Sequence, residues 1–167
     1  MLVDLSIKNF ALIETLLMEF SPGLNILTGE TGAGKSIIVE ALGLVLGERA
    51  DSTAIRTGTS RLTVAATFRT PRPRLQKLVA DLDLSPDGLE DADLIRLRRD
   101  VDSSGRSRCF VNDIPVNLNT LARLGDLLVD MHGQHEHQLL LKPAEQREIL
   151  DSFGKLDPLR AEVREAY

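Results

Sequence analysis

The chain opens with alternation. In LVDLSIKNF the apolar positions Leu2/Val3, Leu5 and Ile7 are separated by polar partners, and LIETLLMEF followed by SPG reads as a second strand closed by a turn at Pro22 and Gly23. The two predict a hairpin. LNIL, Leu24 to Leu27, is a short continuous apolar run that predicts a strand buried on both faces. It leads into a glycine-rich loop, after which KSIIVEALGLVLG places Ile37, Ile38, Ala41, Leu42, Val45 and Leu46 at helical spacing, with Gly47 as the stop.

The pattern then changes. ERADSTAIRTGTS, Glu48 to Ser60, is small and polar and predicts a surface loop, whereas RLTVAATF returns to strand alternation at Leu62, Val64, Ala66 and Phe68. PRPRLQKLVADLDL predicts a short helix after two prolines, and SPDGLEDAD an acidic turn. DLIRLRRDV and SRCFVND, separated by DSSGR, predict a hairpin, with DIPVN as a tight turn after it. The middle of the chain therefore reads as antiparallel sheet. NLNTLARLG repeats Leu118, Leu121 and Leu124 at helical spacing, with Asn117 as cap and Gly125 as end. DLLVDMHGQHEHQLLL begins as strand or helix; its period is too short to decide. KPAEQREILDSFG predicts a helix from Pro143 to Gly154, and LDPLRAEVREAY spaces Leu156, Leu159, Val163 and Ala166 or Tyr167 like a coiled-coil seam.

The loop between LNIL and its helix carries the clearest chemistry. G-x-x-x-x-G-K-[ST] is matched by Gly29, Gly34, Lys35 and Ser36, with Glu30, Thr31, Gly32 and Ala33 between. Glycines let successive backbone N–H groups turn inward onto phosphate oxygens, and the helix that follows presents its positive end. Lys35 would reach the outer phosphates and the Ser36 hydroxyl would ligate Mg2+. An accidental glycine-rich turn would not carry a strand before it and a helix after it, so ATP or GTP binding is the expectation.

Hydrolysis asks for more: a carboxylate at the end of a buried strand to hold the metal, and a group that orients water. Asp130, at the end of LLVD, is the internal candidate for the first, against a plain structural aspartate. HGQHEHQ, His132 to Gln138, clusters three histidines, but H-E-x-x-H is not matched and Cys109 offers no neighbouring fourth ligand, so zinc is the weaker reading. A polar loop entering a nucleotide site, with Gln134 contacting Mg2+ through its amide oxygen, is the stronger one, and a merely connecting solvated loop remains open.

Composition narrows the setting. With 167 residues, 43% hydrophobic and 27% charged, one globular domain is the prior. The net charge of -5 gives no general attraction to nucleic acid, so any DNA contact must come from local clusters. Two exist: Arg69, Arg72, Arg74 and Lys77, and Arg96, Arg98, Arg99, Arg106 and Arg108, of which Arg96 and Arg98 alternate along a strand and also read as an exposed sheet face. A single cysteine fits a reducing compartment, and no apolar run approaches the roughly 18 residues that cross a bilayer, so a cytoplasmic location without membrane contact is expected.

Several stretches then converge. IKNFALIE, GLNILTGETGAGKSIIVEALGLVLGERAD, IRTG and DMHGQHEHQLLL resemble the bacterial DNA-repair members of the structural-maintenance-of-chromosomes (SMC)-like, ABC-type ATPases. The resemblance implies an α/β P-loop NTPase fold of the ABC-ATPase head type, a mixed sheet with an antiparallel β subdomain. Such a head is split in sequence, and residues 1–154 would be its N-terminal half, with phosphate and glutamine loops, and 155–167 the start of a coiled-coil helix. It implies ATP and Mg2+ as cofactors, ATP contacts along Gly29 to Ser36, and Mg2+ contacts from Ser36 and Gln134, with His132 the other candidate for the glutamine-loop place.

The signature motif, catalytic glutamate and switch histidine would belong to the C-terminal half, so no catalytic residue is expected within these 167 residues. The implied partners are that half, a second head joined through ATP, and DNA bound without regard to sequence. The implied role is head engagement in double-strand break repair and recombination, in the cytoplasm at the nucleoid. Ala11 departs from the pattern, since related heads often carry a basic residue after the NF pair. Two other readings stay open: a self-contained P-loop enzyme using Asp130, and a nucleotide-dependent interaction module without turnover.

Overall fold

A computed structural model describes residues 1–29, 34–71 and 93–131, together with positions 146, 147, 150, 151, 153, 154, 156, 159, 162 and 163. The helix expected over PRPRLQKLVADLDL and most of the acidic turn after it lie outside the described residues. The chain divides into two compact units, Met1–Val129 and Asp130–Tyr167.

The first unit is built on a sheet whose strands alternate as their sequences do. Its elements among the described residues are β1 (Leu2–Phe10), β2 (Ile13–Glu19), helix α1 (Lys35–Val45), a 3-10 turn (Ser52–Ala54), β3 (Arg61–Arg69), β4 (Leu94–Asp102), β5 (Ser107–Val111), β6 (Ile114–Val116) and helix α2 (Leu118–Leu128). The strands form a six-stranded sheet in the order β2-β1-β3-β4-β5-β6. Every ladder is antiparallel, with Ile7 opposite Val64 across β1 and β3, Val64 opposite Arg99 across β3 and β4, and Arg98 opposite Phe110 across β4 and β5.

One face of this sheet holds the core. Leu5, Ile7, Val64, Ala66, Phe68, Ile95, Leu97 and Val101 are buried there, and Ala41, Leu44 and Val45 of α1 with Leu121 and Leu124 of α2 are buried with them. Period two on the strands and period three to four on the helices thus converge on one apolar layer.

Three sequence expectations are corrected. DIPVN is not a turn: Val111 pairs with Ile114, so the reversal is at Asn112 and Asp113, both with positive φ (47° and 64°), and IPV continues as β6. Asn and Asp tolerate that left-handed pair, the geometry of a two-residue hairpin, and Pro115 is accepted because β6 is an edge strand. Gly125 does not end α2, which runs to Leu128. A Cβ at Gly125 would lie 2.2 Å from the carbonyl oxygen of Leu46, so glycine is there to let the end of α1 approach. The cap at Asn117 is as expected, its side chain accepting from the N–H of Thr120 at 2.8 Å.

The third correction concerns LNIL. Residues 21–29 form neither strand nor helix and are exposed throughout, with Leu24 86%, Ile26 72% and Leu27 42% exposed. The expected burial on both faces needs strands on either side, and among the described residues none lies beside this segment. Asn25 steadies its beginning, accepting from the N–H of Ser21 and donating to its carbonyl.

In the second unit the described positions Gln146, Arg147, Leu150, Asp151 and Phe153 are helical and Gly154 is in a turn, its N–H donating to Leu150 at 2.9 Å, in keeping with the expected helix end. Leu156, Leu159 and Val163 are each about half exposed, 45%, 57% and 54%. Among the described residues no helix is long and apolar enough to cross a membrane.

Candidate nucleotide site at the start of helix α1

Four of the eight residues expected to cradle phosphate are described: Gly29, Gly34, Lys35 and Ser36; Glu30, Thr31, Gly32 and Ala33 lie outside the described residues. Gly34 is the residue before the helix, with φ 93° and ψ 0°, a left-handed turn that redirects the chain into α1 and that a side chain would strain. Its carbonyl accepts from the N–H of Ile38 at 3.1 Å, closing the first turn. The Lys35 ammonium folds back and donates to the carbonyl of Gly29, so the first and last parts of the motif meet. The Ser36 hydroxyl belongs to an exposed residue.

These groups suit a polyphosphate. A helix start presents the positive end of the helix dipole, the Lys35 ammonium stands beside it, and no acidic residue stands in the first turn of α1 to compete. The other end of α1 is held firmly. Leu46, Gly47 and Glu48 donate backbone N–H groups to the carbonyls of Leu42, Gly43 and Leu44, and Gly47, at φ 109°, lies so close to Ala122 of α2 that a Cβ would sit 2.5 Å from its Cα.

Arg99 of β4 reaches the same place from the core face of the sheet. Its Nη1 donates to the carbonyls of Leu44 at 2.8 Å and Glu48 at 2.6 Å, and its Nε donates to the Ser107 hydroxyl at 2.7 Å. The guanidinium is 1% exposed, and burial lowers its pKa, partly offset by the nearby Cys109. Sequence reasoning grouped Arg99 with a surface cluster and missed this. The signal was its parity with Ile95, Leu97 and Val101 along β4, which places it on the buried face.

The second basic cluster is therefore divided between the two sides of the sheet. Arg96 is exposed on the outer face. Arg98 lies on that face too, bonded to Asp100 at 3.0 Å, within 3.4 Å of Asp113, and stacked 3.9 Å over the Phe110 ring. Arg106 and Arg108 are exposed, whereas Arg99 faces the core. Of the first cluster only Arg69 is described; Arg72, Arg74 and Lys77 lie outside the described residues. Cys109 is buried, and burial raises its thiol pKa.

The loop after α1 is tied to the β1–β2 turn. Ile55 bridges Phe10, the N–H of Ala11 donates to Ala54 at 2.6 Å, and Arg56 donates from its backbone to Asn9 at 3.0 Å and from Nη1 to Leu12 at 2.9 Å. Ala11, the departure noted in the sequence, takes a left-handed conformation at φ 48°.

Asp130 does not end a strand. LLV before it belongs to α2 and its cap, because Leu121, Leu124 and Leu128 recur on a helical face, and Asp130 itself is exposed. Gln134, His132 and the rest of HGQHEHQ lie outside the described residues. Among the described residues no group of His, Cys, Asp or Glu side chains is arranged to hold a metal ion.

Comparison with known proteins bears on the family and the fold. The family model described as AAA domain matches residues 4–120. The DNA repair protein RecN of Vibrio cholerae is 44% identical over 168 residues; all of this chain is covered, but the chain spans only 29% of that relative. The Smc head domain with coiled coil and joint from Pyrococcus yayanosii superposes with a TM-score of 0.61 at 21% identity, over 99% of this chain and 34% of that one. A structure from work on the ATP-driven dimerization and DNA-stimulated activation of SMC ATPases gives a TM-score of 0.60 at 22% identity, over 91% of this chain and 98% of that one. At such identities the structures speak for the fold alone, which is that of an SMC-like, ABC-type ATPase head segment. The chain belongs to the AAA domain family, with RecN-type DNA repair proteins as its relatives in sequence and SMC heads as its relatives in fold.

Proposed function

We propose that this chain is the N-terminal part of an SMC-like DNA-repair ATPase head, and that Gly29 to Ser36 bind the phosphates of ATP. The observation that carries the reading is the arrangement at the start of α1: left-handed Gly34, the Lys35 ammonium returned to Gly29, and a helix start free of acidic side chains. ATP with Mg2+ is the ligand proposed. Ser36 contacts the metal, and Gln134, or His132 in its place, supplies a second contact. When bound, Mg2+ neutralises phosphate charge; the residues here bind and orient the phosphates.

Completion of the site is assigned to polypeptide outside this chain. The exposed Leu24, Ile26 and Leu27 lead directly into the loop, and an apolar run of that kind suits pairing with strands of a C-terminal head half. Residues 155–167 begin a coiled-coil helix between the halves, which suits the half-exposed Leu156, Leu159 and Val163. Two such heads would close over ATP, and hydrolysis would separate them, organising DNA ends for recombinational repair in the cytoplasm at the nucleoid. Because the outer phosphate would be shared across the interface, ATP and not ADP would favour the closed state.

The direct test is equilibrium titration with a fluorescent ATP analogue and Mg2+. Lys35→Ala is expected to weaken binding by roughly 10–100-fold through loss of a charge-assisted phosphate contact, with the circular dichroism spectrum and melting temperature unchanged. Unchanged affinity would remove the nucleotide role from the loop.

A further inference from the structure

Helix α1 has no basic residue in its own last turn, and a cation is brought to its end by another element: Arg99 of β4, bonded from one nitrogen to the carbonyl of Leu44 in the last turn and to that of Glu48 just beyond it, and from another to Ser107. We propose that Arg99 is a positioning residue for the nucleotide site, fixing the far end of α1 and through it the phosphate-binding residues at the near end. The proposal rests on the reading of Gly29 to Ser36 as a phosphate site.

The argument is mechanical and electrostatic. Eleven residues of α-helix make a rod of about 16 Å, stiff enough to carry a displacement from one end to the other. The rod is anchored at one end. Ala41, Leu44 and Val45 are buried, and the turn at Leu46 and Gly47 is pressed against Ala122 and Gly125 of α2. Ile37 and Ile38, near the loop, are only half-buried and Val39 is 51% exposed. Among the described residues the end of α1 is thus packed more closely than its start, so a shift at the end is carried to the start.

Two carbonyls at that end accept from a single guanidinium nitrogen, an arrangement no apolar side chain reproduces. Burying a cation has a desolvation cost that packing alone would not require, and replacing buried charge by apolar side chains is often neutral for stability. A positional role explains why a cation stands where Leu or Met would fill the space. The positive charge also meets the negative end of the same helix whose positive end faces the phosphates.

The test uses the protein at its natural length, titrated with a fluorescent ATP analogue and Mg2+ well below its melting temperature, alongside thermal unfolding without nucleotide. Arg99→Met is expected to weaken binding about tenfold, the loss of one charge-assisted hydrogen-bonded anchor, at a melting temperature close to that of the parent. Arg99→Lys, whose ammonium can still bond a carbonyl, should recover part of the affinity. Ser107→Ala, which frees Nε without emptying the core, should weaken binding by a smaller factor and decides the matter if Arg99→Met does not fold.

Parent-like affinity in Arg99→Met, or in Ser107→Ala where that variant decides, overturns the positioning role while Lys35→Ala still loses binding. Failure of Lys35→Ala to change affinity strikes the nucleotide reading itself, so the two failures are told apart.

Discussion

Val64, Ala66 and Phe68 in β3 are 0%, 0% and 1% exposed, whereas Leu24, Ile26 and Leu27 ahead of the phosphate loop are 86%, 72% and 42% exposed. Both stretches are apolar and short, and hydropathy alone cannot separate them. What differs is the supply of partners. β3 has β1 on one side, β4 on the other and helices over one face, all from the first 129 residues, whereas LNIL has no strand beside it among the described residues. An apolar run thus states a demand for burial, and only topology says whether the same chain meets it.

The contrast can be attacked first on its buried side. Phe68→Ala empties a filled site in the sheet's core and is expected to lower stability by about 3–5 kcal/mol in urea unfolding. A loss near zero would mean that the sheet is not the stabilising unit. Next is the contact between helices. A helical Gly→Ala usually gains up to about 1 kcal/mol, but at Gly125 the new methyl would lie 2.2 Å from the Leu46 carbonyl. Overpacking of about 1–3 kcal/mol should prevail, so Gly125→Ala is expected to melt lower than the parent, and a stabilised variant would contradict the close approach.

Acid gives a smaller effect, at two carboxyls that begin short turns. Asp102 is held below the usual aspartate range chiefly by its bond from the Ser104 hydroxyl, and Asp51 chiefly by the backbone N–H of Thr53. A carboxyl with a depressed folded pKa contributes stability that is fully present above the ordinary value of 3.8 and is lost as pH falls through the lower folded value. Melting temperature should therefore decline below that point, and less so in Asp102→Asn. The smallest effect is expected on the exposed side: Ile26→Ser should alter the stability of this chain by no more than about 0.5 kcal/mol. The same change should impair association with the C-terminal head half, measured by co-purification of the two polypeptides. A large loss of stability in the chain alone would show that Ile26 is already packed.

The contrast also explains what the sequence could reveal. β1 to β5, α1 and the Asn117 cap were legible because period and capping are local properties of particular residues. The start of α1 was legible because a glycine that redirects the chain ahead of a helical apolar period is local too, as left-handed Gly34 before Lys35 shows. The turn at Asn112 and Asp113 was placed too late, over DIPVN, although Pro115 is tolerated on an edge strand. Arg99 was misread because charge suggested surface where strand parity said core, and Gly125 because a glycine that ends a helix and one that admits a neighbouring backbone look alike in one dimension. LNIL failed for the reason already given: burial there needs partners that one chain's periodicity cannot name.

The central claim, that the phosphate loop here is one part of a divided site, is tested most directly by ATP turnover with and without the C-terminal head polypeptide. The chain alone is expected to hydrolyse ATP at a rate indistinguishable from background and to gain Lys35-dependent turnover when that polypeptide is added. Substantial turnover by the 167 residues alone, abolished by Asp130→Asn, would contradict it.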